Sequence, residues 1–351
     1  MIKVVQGDLL NADVEALVNT VNTVGVAGKG IALQFRLAYP DNFTEYARNA
    51  RAGKIIPGKM FVTTTNQLAG PRYIINFPTK RHWKAKSRLE DVESGLEDLA
   101  SVIGSYGIRS IAVPPLGCGY GGLSWQVVQP LIQTKLRDVA ATVLLYSPDG
   151  APPPEELTVN TARPTMTRGR AALVLLLHQY AESDLFRLSA LEVQKLAYFM
   201  QEAGEALRLR YVKAQFGPYA DNLNQVLVRM EGHFTRGLGD RSKEPRLRLL
   251  DGVAEEATEY LNTYPDTLAR TKRVARLVRG WETPYGLELL ATTHWAMKQG
   301  LGEDGDSSEL HHFVANWTPR KAKLFPPRHI DRATAHLVEH GFTPRPQSRQ
   351  T

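Results

Sequence analysis

The sequence predicts an α/β layered domain followed by a mainly α-helical domain. Three observations carry this. Up to about Tyr146, short β-branched runs alternate with amphipathic stretches of helical spacing. A Pro-rich run, Ser147-Pro148-Asp149-Gly150-Ala151-Pro152-Pro153-Pro154, then breaks the pattern. From Gly169 onward apolar residues recur at three and four with few β-branched runs. With 351 residues, the chain is long enough for two domains that each bury a core.

The elements follow in order. Strands are predicted over 2–5, 16–21, 59–65, 72–77, 110–114 and 141–146, and helices over 31–39, 43–52, 88–106 and 124–136. Pro40-Asp41 closes one helix and opens the next, and Ser87 with Glu90 has the spacing of a capping box. The Pro-rich run continues neither a helix nor a central strand, so the boundaries fall at 1–150, a linker at 151–167, and 168–351. In the last region Leu173, Leu176, Leu177 and Tyr180 share a helical face, as do Leu191, Leu196 and Phe199. Pro218 is placed at a helix start, 330–340 forms a terminal helix, and 236–245 and the acidic 302–308 are surface loops.

Composition narrows the function classes. Lys and Arg number 43 against 36 Asp and Glu, a net charge of +7 that suits a phosphate-bearing partner. The excess is shared between the two halves and forms no concentrated DNA-binding tail. A single cysteine, Cys118, excludes an intramolecular disulfide and a Cys-based zinc cluster, and predicts a reducing compartment. The longest apolar run, 171–177, is far short of a membrane span, and Met1 leads into the first strand with no signal sequence. A cytoplasmic protein without membrane association is expected.

The first domain carries the chemistry. The segment from Val18 to Gly30 leaves an apolar strand, passes Gly25, Gly28 and Gly30, and enters a helix at Ile31. Glycines allow close backbone approach, and a helix start adds N–H donors for phosphate. It is no Walker A motif, because Gly30 follows Lys29 where a magnesium-binding hydroxyl is required. A second loop, Gly117-Cys118-Gly119-Tyr120-Gly121-Gly122, fits Gly-x-Gly-x-x-Gly but on a late strand, and no acidic residue ends an adjacent strand about twenty positions on. That favours a second phosphate-wrapping loop over a nicotinamide site. Asp8 is either a turn aspartate or an acceptor for an adenine amino group; Asn22 bonds either backbone or a ribose hydroxyl. Lys80 ends Ile74-Ile75-Asn76-Phe77-Pro78-Thr79, where burial and the basic residues Arg81, Lys84, Lys86 and Arg88 favour the neutral amine that attacks a sugar carbon. Lys84, Lys86 and Arg88 fit a solvated basic face, and Trp83 either stacks on an unpaired base or packs.

Gly7-Asp8-Leu9-Leu10, the Asn19 to Ile31 segment, Phe77-Pro78-Thr79-Lys80 and Pro115-Leu116-Gly117-Cys118-Gly119 together resemble a macrodomain of the class that hydrolyses ADP-ribose linkages with a lysine. Within that class the resemblance is to the DarG antitoxins, which oppose DarT toxins that ADP-ribosylate thymidine in single-stranded DNA. It implies an α/β macrodomain with a mixed sheet between helices. It also implies that Asp8 and Leu9 hold the adenosine end. Asn22, Thr23, Gly28, Lys29, Gly30 and Ile31, with Gly117, Cys118, Gly119, Tyr120, Gly121 and Gly122, hold the diphosphate and distal ribose, and Lys80 is the catalytic amine. No metal or redox cofactor is expected. A related branch that releases ADP-ribose from acidic side chains has an aspartate in the second loop; here Cys118 to Leu123 contains no carboxylate, so that lysine–carboxylate mechanism does not transfer whole. Leu191 to Phe199 followed by Phe216-Gly217-Pro218-Tyr219 is similar to the helical domain of SocA/Panacea-type antitoxins, which implies a toxin-binding surface. The partners expected are ADP-ribosylated single-stranded DNA, ADP-ribose and a DarT-like toxin. The competing expectations are a module that binds ADP-ribose without cutting it, a hydrolase of protein-linked ADP-ribose, and a DNA-binding regulator.

Overall fold

The structure, a computed structural model, describes residues 1–65, 70–149, 157–181, 188–239, 246–301 and 307–343. The chain divides into two compact units: Met1–Arg163 with a short segment starting at Gly237, and Pro164–Arg236 with the chain from Arg246 onward. Residues 151–156 of the expected linker lie outside the described residues, as do most of the two expected surface loops. Residues 157–163 belong to the first unit. Asn160 explains why: its backbone N–H and its Nδ2 donate to the carbonyls of Leu37 and Ala38, both at 2.8 Å.

The first unit is a six-stranded sheet between helices. In chain order it contains β1 (Ile2–Val5), β2 (Ala16–Asn22), α1 (Gly30–Ala38), α2 (Pro40–Arg51), β3 (Phe61–Thr64), β4 (Tyr73–Lys80), α3 (Leu89–Ser105), β5 (Ser110–Val113), α4 (Trp125–Lys135) and β6 (Thr142–Tyr146). The strand order is β1-β6-β5-β2-β4-β3, with every pair parallel except β3 with β4. Side-chain alternation sorts the two cores. Val18, Ile75, Phe77, Ile111 and Val113 pack with Val92, Leu96 and Leu99 of α3 and Val128 and Ile132 of α4. Leu17, Ile74 and Ala112 pack with Leu9, Phe35 and Ala38. Each fully buried Val, Leu, Ile or Phe among them contributes about 1.5–3 kcal/mol of transfer free energy.

Two details fix β4, the strand that carries Lys80. The Phe77 ring lies directly on α3 at Gly95, where a Cβ would sit 2.3 Å from Phe77 Cζ. Buried amides provide the second: Asn19 Nδ2 donates to Asn76 Oδ1 at 2.9 Å, Asn76 Nδ2 to Asn42 Oδ1 at 2.7 Å, and Thr63 Oγ1 to the same Asn42 oxygen at 2.8 Å. This network joins β2, β4, β3 and α2 in one register. The expected capping box at Ser87 and Glu90 does not form. Arg88 is the N-cap of α3, while Ser87 is drawn under the second glycine loop, its N–H donating to Gly121 O at 3.0 Å.

The second unit is mainly helical: α5 (Arg168–Ala181), α6 (Ala190–Glu202), α7 (Leu223–Met230), α8 (Val253–Asn262), α9 (Pro265–Val278), α10 (Pro284–Met297), α11 (Ser308–Ala315), α12 (Pro319–Leu324) and α13 (Pro327–Glu339). Two small antiparallel ribbons accompany them, β7 (Tyr211–Ala214) with β8 (Gly217–Ala220), and β9 (Thr235–Arg236) with β10 (Arg248–Leu249). Pro218 therefore lies in a strand, not at a helix start. Gly217, at φ +91°, turns the chain, and a two-stranded ribbon tolerates the missing proline N–H. No helix among the described residues is long and apolar enough to cross a membrane.

Candidate active site

Because β1, β2, β4 and β5 run parallel, Asp8, Asn22, Lys80 and the loop 117–122 lie at or just after the carboxyl ends of their strands, along one edge of the sheet. Between β1 and β4 lie four inter-strand steps, roughly 19 Å at 4.8 Å per step. The edge suits a ligand with two sugar-bearing ends joined by a diphosphate.

Asp8 marks one end. It caps the short turn Leu9–Asn11, with Oδ1 accepting from Leu10 N at 3.1 Å. Its Oδ2 is buried without a hydrogen-bond partner, an acceptor ready for a ligand N–H. Leu9 packs its side chain wholly into the core beneath α1, which leaves only its backbone to face a ligand.

At the centre, β2 leads into the first glycine loop. Asn22 arranges it: Oδ1 accepts from Val24 N at 3.1 Å and Val26 N at 3.2 Å, and Nδ2 donates to Val26 O at 2.6 Å. The buried Tyr46 hydroxyl, donating to Asn22 O at 2.5 Å, anchors the strand end. Of the two partners considered for Asn22, the side chain here bonds backbone. Thr23 is likewise engaged, with N to Lys80 O at 3.0 Å and Oγ1 to Arg81 O at 2.6 Å. Past Gly28, Lys29 is the N-cap of α1 with no side-chain cap, so the first N–H groups of Gly30 and Ile31 point out of an uncapped helix start. Ile31 keeps its side chain against the core.

The second loop closes on itself through Leu123 N to Gly117 O and Gly122 N to Gly119 O, both 3.0 Å. Gly121 is obligatory, because a Cβ there would lie 2.3 Å from both Gly117 O and Ser87 Oγ. Gly119 has open space where its Cβ would be. Cys118 is half-buried, and burial pushes its thiol up to about 11, which disfavours the thiolate near neutral pH. The two loops touch where the Tyr120 ring lies 3.3 Å from the Cβ position of Gly30.

Lys80 stands between them. A register shift at the end of the β2–β4 ladder sets Asn22 opposite Lys80. Its Nζ donates to Tyr120 O at 2.9 Å and Trp83 O at 3.2 Å. Partial burial lowers its pKa from the ordinary lysine value, and both acceptors are carbonyls, so no carboxylate opposes that shift. Of the neighbouring cations, Arg81 is committed to Asp91 through bonds of 3.1 and 2.9 Å. Its guanidinium holds the Asp91 carboxyl below the usual range. Trp83 is exposed, stacked on His82 at 5.6 Å with the Lys84 amine 4.6 Å from its ring. Sequence reasoning missed the Tyr120 arm of the clamp on Lys80, the Tyr46 anchor and the Ser87 contact, because all three join segments distant in the chain.

A layered α/β unit with a diphosphate-shaped edge, two glycine loops and a half-buried lysine is a macrodomain, and a family model described as Macro domain matches residues 18–132. A "DNA ADP-ribosyl glycohydrolase" of Thermus aquaticus is 46% identical over 351 residues, covering 100% of this chain and 96% of that protein. One of Mycobacterium tuberculosis is 42% identical over 344 residues, covering 93% and 96%. The solved macrodomain of Mycobacterium tuberculosis DarG is 51% identical, covers 42% of this chain and 99% of its own, and superposes with a TM-score of 0.42. The chain belongs to the DNA ADP-ribosyl glycohydrolase family of macrodomain proteins.

Proposed function

We propose that the first unit releases ADP-ribose from thymidine bases of single-stranded DNA by glycosidic hydrolysis, and that the second binds and restrains the DarT-like toxin that attaches it. The observation that carries the reading is the Lys80 amine, half-buried, held by two carbonyls between two glycine loops. Asp8 Oδ2 takes the adenine amino group. The uncapped start of α1 and the loop 117–122 wrap the diphosphate, and the segment ordered by Asn22 seats the distal ribose. Neutral Lys80 then attacks the sugar carbon of the linkage as its bond to the thymine base breaks; the base leaves with a proton from solvent, and water displaces the lysine to release ADP-ribose and restore the amine. Trp83 offers a face to an unpaired base of the strand, beside exposed Lys84 and Lys86. The likeness of the second unit to toxin-binding helical domains, in Leu191 to Phe199 and Phe216 to Tyr219, supports its role. A reducing cytoplasm fits the lone half-buried cysteine.

The test presents thymidine-linked and glutamate-linked ADP-ribose side by side and measures release. Turnover confined to the thymidine linkage supports the reading, and turnover of the glutamate linkage alone moves the chain to protein substrates. Binding of ADP-ribose without turnover of either leaves a reading module. The rate on the thymidine linkage rises with pH as Lys80 loses its proton, levelling below the ordinary lysine value of about 10.4. Lys80→Arg, which stays protonated, shows no such rise.

A further inference from the structure

The last turn of α13 carries His336, Glu339 and His340, and one donor atom from each lies within 4.8 Å of the other two. At i, i+3 and i+4 the three side chains share one face of the helix. The contacts around the two rings are those of metal ligands held by their neighbours. His336 Nε2 lies 2.7 Å from Leu277 O, and His340 Nδ1 lies 2.9 Å from His336 O. A carbonyl only accepts, so each of those nitrogens carries the proton, and His336 Nδ1 and His340 Nε2 keep their lone pairs. A ring whose N–H is fixed by a carbonyl is the usual arrangement of a ligating histidine. The rings are close, at 4.2 Å between centroids.

From this geometry we infer that His336, Glu339 and His340 form a binding site for a divalent transition-metal ion, of the class of zinc or nickel. Two imidazoles and one carboxylate match the borderline preference of these ions and leave a fourth position open to water or to a side chain of a partner. Bonds of about 2.0–2.2 Å require donors roughly 3.4 Å apart, so the exposed Glu339 carboxylate swings inward as the site closes. The negative end of α13 favours a cation there. Arg273 opposes it, since its guanidinium already donates to the carbonyls of His340 and Gly341. The site is therefore expected to take metal reversibly. None of its three donors belongs to the unit that holds Lys80.

Metal-stripped full-length chain is titrated with Zn2+ by calorimetry, and with Ni2+ by tryptophan emission, because Trp281 packs on His336 with ring centroids 5.2 Å apart. One equivalent of Zn2+ is expected, with Ni2+ quenching that disappears in Trp281→Phe. His340→Ala and Glu339→Gln should each weaken binding at least tenfold, while His311→Ala, a histidine paired instead with Asp331, leaves it unchanged. Glu339 is exposed, so Glu339→Gln keeps the fold and the test stands even where His340→Ala does not. Zn2+ binding of equal strength in wild type and Glu339→Gln, or none in wild type, overturns the proposal.

Discussion

Both units place a lysine amine against backbone carbonyls, and they do so to opposite ends. Lys80 donates to Trp83 O and Tyr120 O at the carboxyl end of β4, partly exposed. In the second unit Lys195 donates to Pro218 O at 2.7 Å but is only 2% exposed. Burial first, and then the charge of Lys321, bring Lys195 down to about 7, a large shift from the ordinary 10.5. A search for perturbed amines alone would therefore select Lys195. Access separates the two. One amine faces a diphosphate-shaped edge, whereas the other is sealed among Gly217, Thr292 and Lys321 with Glu288 as the neighbouring carboxylate.

The largest expected effect breaks the comparison at its active side. Lys80→Ala should lower turnover on the thymidine linkage at least a thousandfold, about 4 kcal/mol of transition-state stabilisation, while calorimetry still detects ADP-ribose binding. Lys195→Met should leave turnover by folded protein within a few fold; a loss matching that of Lys80→Ala would make the sealed amine the reactive one.

Next comes the buried charge cluster. Glu288 receives Arg320 at 2.7 and 3.1 Å and is also bonded by Lys321. Its cations hold the carboxyl below its ordinary value although burial pushes it up. Glu288→Ala strands Lys321 and Arg320 and should cost about 3–5 kcal/mol by urea unfolding of the second unit. An unchanged midpoint would show that the cluster contributes nothing net.

Smaller effects sharpen the contrast. Asn22→Ala removes the bonds that shape the first loop and should cost about 1–3 kcal/mol, with ADP-ribose affinity falling together with thermal stability. An affinity loss with stability intact would mean that the amide touches ligand directly. Lys195 yields a signature in pH rather than at a single condition. Folded, it gives up its proton near pH 7, and unfolded near 10.4, so between those values the unfolded chain binds more protons and stability rises with pH. The contribution is absent below about pH 7 and complete above the unfolded value, with a slope of at most ~1.4 kcal/mol per unit. Lys195→Met should flatten that slope in urea midpoints measured from pH 7 to 10.

Local signals explain what was legible in the sequence. All six strands and four helices of the first unit were readable, because alternation and helical spacing are properties of short windows. The order of the strands was not, since β1 pairs β6 across almost the whole unit. Asp8, Asn22, Lys80 and the glycine loops were legible as motifs, and their convergence follows from parallel pairing. Ser87 misled because its spacing to Glu90 imitates a cap while the second loop competes for the same residue. Pro218 misled for a related reason: Gly-Pro starts a helix in isolation, but Gly217 closes a ribbon once β7 is beside it.

The Phe77 ring seated on Gly95 gives the enzyme a distant calibration point. Lys80 lies three residues beyond that ring on the same strand, so the position of its amine is set from the back of the sheet, by how near α3 can approach. A single methyl at position 95 would push ring and helix apart at a cost of about 1–3 kcal/mol, and the displacement would run along β4 to its far end. The placement of the Lys80 amine is thus adjustable from α3, a helix that does not carry it.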